Sequence, residues 1–583
     1  MFKGHGIFWE KYGDQAWTAY RETLKKYQFK LGISKYSHDI RQISRYTRMN
    51  FQYLQCLDLW NPGYISYWED RENQDYDILD STHDGKMIQL ARYTTRLFEK
   101  IIRGDKFYTY KYMGIMDSSG QPPKSRYLEA ALINDIMLTD PAVRQYIYRK
   151  LKKSIDEAKI GKIYASGLYH TGVGDMIGYL QYAAGEEPVG CLREGELYSS
   201  ILDSGSILSF RSPLVDPSEV NKTRIVKNEL TEKWFRCLQD QDIVMFNMYD
   251  ISAPQQGGAE FDGDIFFLCD DPILAGSKIE KPIILDIEDK AAAEPKPYTM
   301  ENIVEYEIMT RDSRIGEITN AATSIENHYT TKEEVRRLYS DYASLLRIYQ
   351  GKEIDFLKTG IRWHMHQGLR KYVKQLPWFL LHHYPAKMEK YKKLVEKNKS
   401  IADKEDKLKL NAYHSPSPMN ELCDYICTWE RKHIVWDHSR TNLAQIRALI
   451  LQDDFSCPDR RVLRMIRRAV NEYADDLRSY MRLREDLQEE DEPFHMEKLI
   501  QQKKEQLAAE LGLDEETIAN YVIYVSYQSH SVSKSLAWTG YGEYIIKNLK
   551  EHSKPGQKIS IQEIGSPSGT SYEYLGKYYE MEV

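Results

Sequence analysis

The chain has 583 residues, with 80 Lys plus Arg against 87 Asp plus Glu and a formal net charge of −7. That balance excludes a globally basic nucleic-acid binder, so any basic groove must be local, and the length allows about three to five domains. Seven scattered cysteines read as reduced thiols; no apolar run approaches the ~20 residues of a membrane span, and the start at Met1-Phe2-Lys3-Gly4-His5 is no signal peptide, so a soluble, cytoplasmic protein without membrane contact is expected.

In chain order, Phe2 to Trp9 reads as a Gly-punctuated turn entering a strand, and Tyr27 to Ile33 alternates polar with apolar as a second one. Lys25, Lys26, Lys30, Lys35, Arg41, Arg45 and Arg48 make this the most basic part of the first hundred residues, a pattern that solvated charged faces commonly share. Met49 to Arg149 is mainly helical in period, as in Leu128 to Leu138, with a loop at Asp117 to Lys124. From about Gly161 short β-type runs alternate with glycines: Lys162 to Ala165, Gly178 to Tyr182, Ser206 to Phe210, Asp242 to Phe246 and Ile283 to Leu285. Such spacing predicts a compact barrel rather than a βαβ sheet. Glu288 to Pro297 reads as a linker, and beyond it the pattern is helical to nearly the end. Lys387 to Lys409 is densely charged with mixed signs and reads as a solvent-facing helix pair, while Gly512 and Asp514 read as one helix end and the next N-cap.

The stretch richest in chemistry is Gln255-Gln256-Gly257-Gly258-Ala259-Glu260-Phe261-Asp262-Gly263-Asp264, followed by Ile265-Phe266-Phe267-Leu268. The Gly-Gly pair predicts a tight turn and the apolar run a buried strand. If the acidic run were extended, Glu260, Asp262 and Asp264 would share one face, and a hard cation such as magnesium would hold three adjacent carboxylates together. Gly263 would let a bulky substrate approach the backbone. A solvated acidic turn has the same spacing. A helix-loop-helix calcium site does not, because its sixth position needs Gly and here it would be Ile265 or Phe267. Cys423 and Cys427 form one loose pair where zinc sites show two tight ones, so they read as core, as do His364, His366, His382 and His383. No phosphate loop or nucleophile elbow is present.

Several segments resemble, in order, the catalytic half of the single-chain RNA polymerases with two double-psi β-barrels, a group that includes the cellular RNA-dependent RNA polymerases of gene silencing and related phage-encoded enzymes. Ala259-Glu260-Phe261-Asp262-Gly263-Asp264 is similar to the Asp-x-Asp-Gly-Asp metal loop, with Glu260 in place of the first Asp. Phe210-Arg211-Ser212-Pro213 resembles the Arg-x-Pro segment. Gly167 with Thr171-Gly172-Val173-Gly174-Asp175 resembles the opening of barrel two, where Met176 replaces Glu. Lys3-Gly4 and Phe29-Lys30 resemble the basic positions of barrel one. Gly316 to Asn320, Asp355 to Gly360 and Ser535 to Trp538 resemble later helical motifs.

The resemblance implies an α+β fold: a remnant of the first barrel at 1–60, a helical connector at 61–158, the second barrel with the metal loop at 159–290, a helical region at 291–480 and a C-terminal helical region at 481–583. It also implies template-directed RNA synthesis with two magnesium ions on Glu260, Asp262 and Asp264. Lys3 and Lys30 would face the phosphates of the incoming nucleoside triphosphate, Arg211 its ribose, and Lys358 the template or product. RNA is the expected template and DNA the alternative. Only two residues precede Lys3, so a truncated chain is expected, or one half of a split polymerase whose second chain supplies the rest of barrel one; a non-catalytic nucleic-acid-binding remnant is the rival.

Overall fold

The computed structural model describes residues 44–583 except 71, 115–124, 240, 286–294, 312–313, 375, 385–387, 389–411, 414, 435–440, 454, 456–458, 484–491, 554–559 and 583, together with Glu22, Lys25 and Lys26. The expected strands at Phe2 to Trp9 and Tyr27 to Ile33 lie outside the described residues, as do most of the expected linker and almost all of the charged stretch Lys387 to Lys409. The chain divides into two compact units, residues 1–95 with 156–429, and residues 96–155 with 430–583. No helix among the described residues is long and apolar enough to cross a membrane.

Among the described residues, the main sheet of the first unit has seven strands: β1 (Tyr46–Arg48), β2 (Tyr164–Gly174), β3 (Glu196–Tyr198), β4 (Gly205–Arg211), β5 (Asn221–Ile225), β6 (Ile243–Phe246) and β7 (Ile265–Cys269). Their order is β1-β2-β6-β3-β5-β4-β7, and β7 returns to pair with β2, so the last six close into a barrel. Two of the pairings are parallel, β2 with β6 and β3 with β5, and the others in the ring are antiparallel. With its helices this is the expected α+β barrel class. Closure pairs both edges of every barrel strand, which leaves no open edge for Ile283 to Leu285; that stretch is not a strand, and Ile283 is exposed.

Period-two alternation fills the interior. In β5, Asn221, Thr223 and Ile225 are buried while Lys222 and Arg224 face out. Leu168, Leu197, Ile207, Ile225, Val244, Phe246, Phe266 and Leu268 form one buried cluster. The run that becomes β7 is apolar at successive positions because both its faces are covered. Phe266 and Leu268 enter the barrel core, while Phe267 packs on Tyr53, Tyr169 and Phe210, with ring centroids 5.9, 5.0 and 6.1 Å away. Gly172 of β2 makes this possible, since a Cβ there would sit 2.3 Å from the Phe266 ring.

The expected strand at Gly178 to Tyr182 is instead the helix Met176–Ala183. Asp175 decides it. One carboxylate oxygen accepts from the amides of Ile177 and Gly178 at 3.0 Å each, and the other from Cys191 and Leu192 at 2.7 and 3.0 Å. An N-cap of this kind outweighs the β preference of the two tyrosines.

Behind β4, residues 212–219 form a shelf held by helices far along the chain. The Ser212–Pro213 bond is cis. Gln350, on the helix Glu333–Thr359, donates to the Pro213 carbonyl at 2.7 Å, and Lys281 donates to the buried Asp216 carboxylate at 2.5 Å. Glu219 accepts from the amides of Val215 and Asp216 at 2.9 and 3.1 Å, and Arg347 Nε approaches its other oxygen to 2.8 Å. Burial pushes the Glu219 carboxyl up to about 7, against the pull of Arg347.

In the second unit Asp140 is fully buried and caps the helix Pro141–Lys159 through the amides of Ala142 and Val143. Tyr527 donates to it at 2.5 Å and receives a hydrogen bond from Trp538 at 2.8 Å, so the segment Ser535 to Trp538 is core structure here. The helix Glu492–Leu511 ends at Gly512, with φ of 61°, and Asp514 caps the helix Glu515–Ser526, both as expected. The expected C-terminal helical region, 481–583, is helical to His552 and closes on strands. Ser560–Ile564, Tyr572–Tyr574 and Lys577–Glu582 form an antiparallel sheet whose Tyr572 stacks on Phe107 at 4.3 Å.

Two outcomes follow. Gly172→Ala is expected to lower stability by about 1–3 kcal/mol through overpacking against Phe266, read as a fall in thermal midpoint; an unchanged midpoint would show that the barrel interior gives way easily. Because the folded value of Glu219 lies above the ordinary 4.5, its stabilising contribution is complete below that value and is lost as pH rises through about 7. The gap in thermal midpoint between wild type and Glu219→Gln is therefore expected to shift in favour of the variant from about pH 5 to about pH 8. A shift the other way would show that Arg347 outweighs burial.

Candidate active site

The acidic run sits at one end of the barrel, immediately before β7, and the turn that delivers it is tightly fastened. The buried side chains of Gln255 and Gln256 do the fastening: Gln255 donates to the Ser218 carbonyl at 2.7 Å, Gln256 donates to the Ser252 carbonyl at 2.9 Å, and Gln256 accepts from the Ser209 hydroxyl of β4 at 2.8 Å. Gly257 and Gly258 have φ of 71° and 65°, as the expected tight turn requires. At Gly257 there is a second constraint, because a Cβ would lie 2.9 Å from Nη1 of Arg211.

Arg211 ends β4 opposite Phe266 of β7, which brings it beside the loop. Its Nη1 donates to the Gly257 carbonyl at 3.1 Å and makes a longer contact of 3.4 Å to the Gln256 carbonyl. Its Nη2 lies 3.0 Å from Asp264 Oδ2, an ion pair whose two side chains are only 12% and 21% exposed. The same Asp264 oxygen accepts from the Glu260 amide at 2.8 Å, and the Asp264 carbonyl accepts from the Gly172 amide at 2.9 Å. Asp264 is therefore the keystone of the loop, joined to β2, to β4 and to the loop's own start. Next to Arg211, Ser212 donates to the Tyr53 hydroxyl at 3.1 Å. Burial pushes that phenol well above its ordinary value, so it stays neutral.

The run is a turn, not an extended strand, so period-two geometry does not put its carboxylates on one face. Gly263 has φ of 123°, and the chain folds back between Glu260 and Asp264. Glu260 and Asp262 are exposed and Asp264 is half-buried. Their donor atoms are not gathered into a compact cluster. Among the described residues, the set of three metal-type side chains with donor atoms all within 4.8 Å of one another is His382, Cys423 and Cys427. Lys3 and Lys30 lie outside the described residues. Lys358 falls in the helix Glu333–Thr359, and its side chain is likewise outside them.

Several supporting residues were not singled out from the sequence. Gln255 and Gln256 lie inside the acidic motif and Glu219 lies eight residues after Arg211, but residue type alone gives none of them a role. Arg347, Gln350 and Lys281 carry no local signal, since their partners are remote in sequence. The amphipathic period of the helix Glu333–Thr359 would place Arg347 and Gln350 on one face, but not under this shelf.

The sequence profile of the family described as RNA dependent RNA polymerase matches residues 79–426, which takes in the whole barrel and the acidic loop. The DNA-directed RNA polymerase YonO of Bacillus phage SPbeta is 24% identical over 500 residues, covering 82% of this chain and 53% of that protein. RNA-dependent RNA polymerase 1 of Arabidopsis thaliana is 26% identical over 243 residues, covering 38% of this chain and 20% of that one. A solved structure of the RNA dependent RNA polymerase QDE-1 from Thielavia terrestris aligns over 92% of this chain and 59% of its own, with a TM-score of 0.49 and 14% identity. The chain thus spans about half the length of the phage relative and about a fifth of the plant one. With well over half of its residues inside the family profile, barrel and loop included, the chain belongs to the RNA dependent RNA polymerase family.

Proposed function

We propose that this chain catalyses template-directed RNA synthesis by magnesium-dependent nucleotidyl transfer, and that Glu260, Asp262 and Asp264 hold the metal. The observation that carries the reading is the acidic loop fixed at the barrel end by the Arg211–Asp264 ion pair, inside the part of the chain that matches the family. The donor set fits the ion: three carboxylates, two of them facing solvent, offer the hard oxygen ligands that magnesium takes with its remaining waters. Bound there, divalent ions would lower the pKa of an attacking 3′-hydroxyl and neutralise charge at the phosphorus as pyrophosphate leaves.

The chain's own residues do the positioning. The turn fastened by Gln255 and Gln256 sets the loop before substrate arrives, so little reorganisation is left for the reaction itself. Arg211 holds Asp264 and the Gly257 carbonyl with two of its nitrogens, and a guanidinium has five N–H donors, which leaves capacity for the ribose of an incoming nucleotide. Lys3 and Lys30 would offset phosphate charge, and Lys358 would contact template or product. Glu260, one methylene longer than the aspartate it replaces, reaches further from an exposed position.

The phage relative is named for a DNA template and covers more of this chain than the plant one, which favours DNA as a second reading of the template. Primer extension on matched RNA and DNA templates, with and without magnesium, separates the two. Magnesium-dependent incorporation is expected on at least one template, and loss of at least about 10²-fold in Asp262→Ala with an unchanged melting profile. Incorporation that survives in Asp262→Ala would overturn the metal assignment. No product on either template would overturn catalysis by this chain and favour a non-catalytic nucleic-acid-binding remnant.

A further inference from the structure

The compact cluster lies away from the acidic loop in sequence and in chemistry. Cys423 and Cys427 are one turn apart on the helix Pro418–His433, so both thiols project from one face. His382 is near the end of the 3₁₀ helix Trp378–His383. The two elements are pinned together independently of these side chains. Asn420 accepts from the Phe379 amide at 3.1 Å and donates to the Ser415 carbonyl at 2.8 Å, and Leu376–Pro377 pairs in parallel with Ala412–Tyr413. The Trp378 ring meets the His382 ring edge to face, 5.6 Å between centroids.

We propose that His382, Cys423 and Cys427 bind a zinc ion that staples this 3₁₀ helix to the helix Pro418–His433. The donor atoms all lie within 4.8 Å of one another, and His382 Nε2 is 4.0 Å from Cys427 Sγ. Tetrahedral zinc, with Zn–S of about 2.3 Å and Zn–N of about 2.0–2.1 Å, sets its ligands roughly 3.6–3.8 Å apart. Closing on the ion therefore takes about 1 Å or less in donor-atom separation. Thiolate and imidazole are the soft and borderline donors that select zinc over magnesium, so this site is chemically distinct from the carboxylate loop. Cys423 is fully buried while His382 and Cys427 are half-buried, which leaves the exposed side of the ion open for water as fourth ligand. The buried Lys159 ammonium acts on both thiols and is itself paired with Asp156 at 2.7 Å, so it adds little net charge. An ion here would tie residues 45 apart in sequence, a link that stabilises chiefly by restricting the unfolded chain.

The test uses the full chain, purified under reducing conditions, given zinc and desalted. Elemental analysis is expected to find one zinc per chain, and replacement by cobalt to give the near-ultraviolet charge-transfer absorption of thiolate-bound metal. Cys427→Ser and His382→Ala should each lose both signals, whereas Asp262→Ala should keep them. Zinc should raise the thermal midpoint of wild type and not of Cys427→Ser. A wild-type chain that retains no zinc, or shows no thiolate-to-cobalt absorption, would overturn the proposal even if the variants fold poorly. So would a folded double variant, His382→Ala with Cys427→Ser, that retains as much zinc as wild type.

Discussion

The ion pair between Arg211 and Asp264 is the contact on which the rest of the site depends. β4 and β7 lie side by side in the barrel, and their register places Arg211 where the acidic loop must pass. One guanidinium then ties the last carboxylate of the loop to the backbone of the turn that precedes it. At this degree of burial an unpaired arginine would be costly, so the loop and the arginine hold each other in place. Gly257 is the backbone side of the same bargain: its left-handed φ and missing Cβ let the turn come within hydrogen-bond reach of Nη1.

That contact rests on a second layer. The shelf after Arg211 is held by groups from helices well beyond the barrel, Arg347 and Gln350 among them, with Glu219 between them and the turn. A carboxyl pushed towards neutrality by burial, yet facing an arginine, accepts two backbone hydrogen bonds and fixes the start of the shelf. The helical region therefore takes part in positioning the acidic loop through the shelf.

Local pattern made part of this legible. β4, β6 and β7 announced themselves as short apolar or β-branched runs bounded by turn residues, and the Gly-Gly turn followed from its composition. Where a local signal met a stronger competing one, the reading failed. Tyr179 and Tyr182 look like strand residues, yet Asp175 caps a helix there, and Ile283 to Leu285 finds no open edge once β7 closes on β2. The acidic run misled differently: alternation argues for one face only in an extended chain, and Gly263 bends this one. Pairings across long sequence separation left no trace to read, which is why Arg347 under Glu219 and His382 beside Cys427 come only from the fold. The family resemblance supplied what pattern could not, by singling out Arg211 together with the loop.

A catalytic divalent ion held by the loop from Ala259 to Asp264 can be located chemically. Replacing magnesium by ferrous iron and adding ascorbate generates hydroxyl radicals at the bound metal, which cut the backbone nearby. Cleavage is expected within Ala259 to Asp264 and beside Arg211, suppressed by excess magnesium and lost in Asp262→Ala. Absence of magnesium-suppressible cleavage at that loop would contradict the metal assignment.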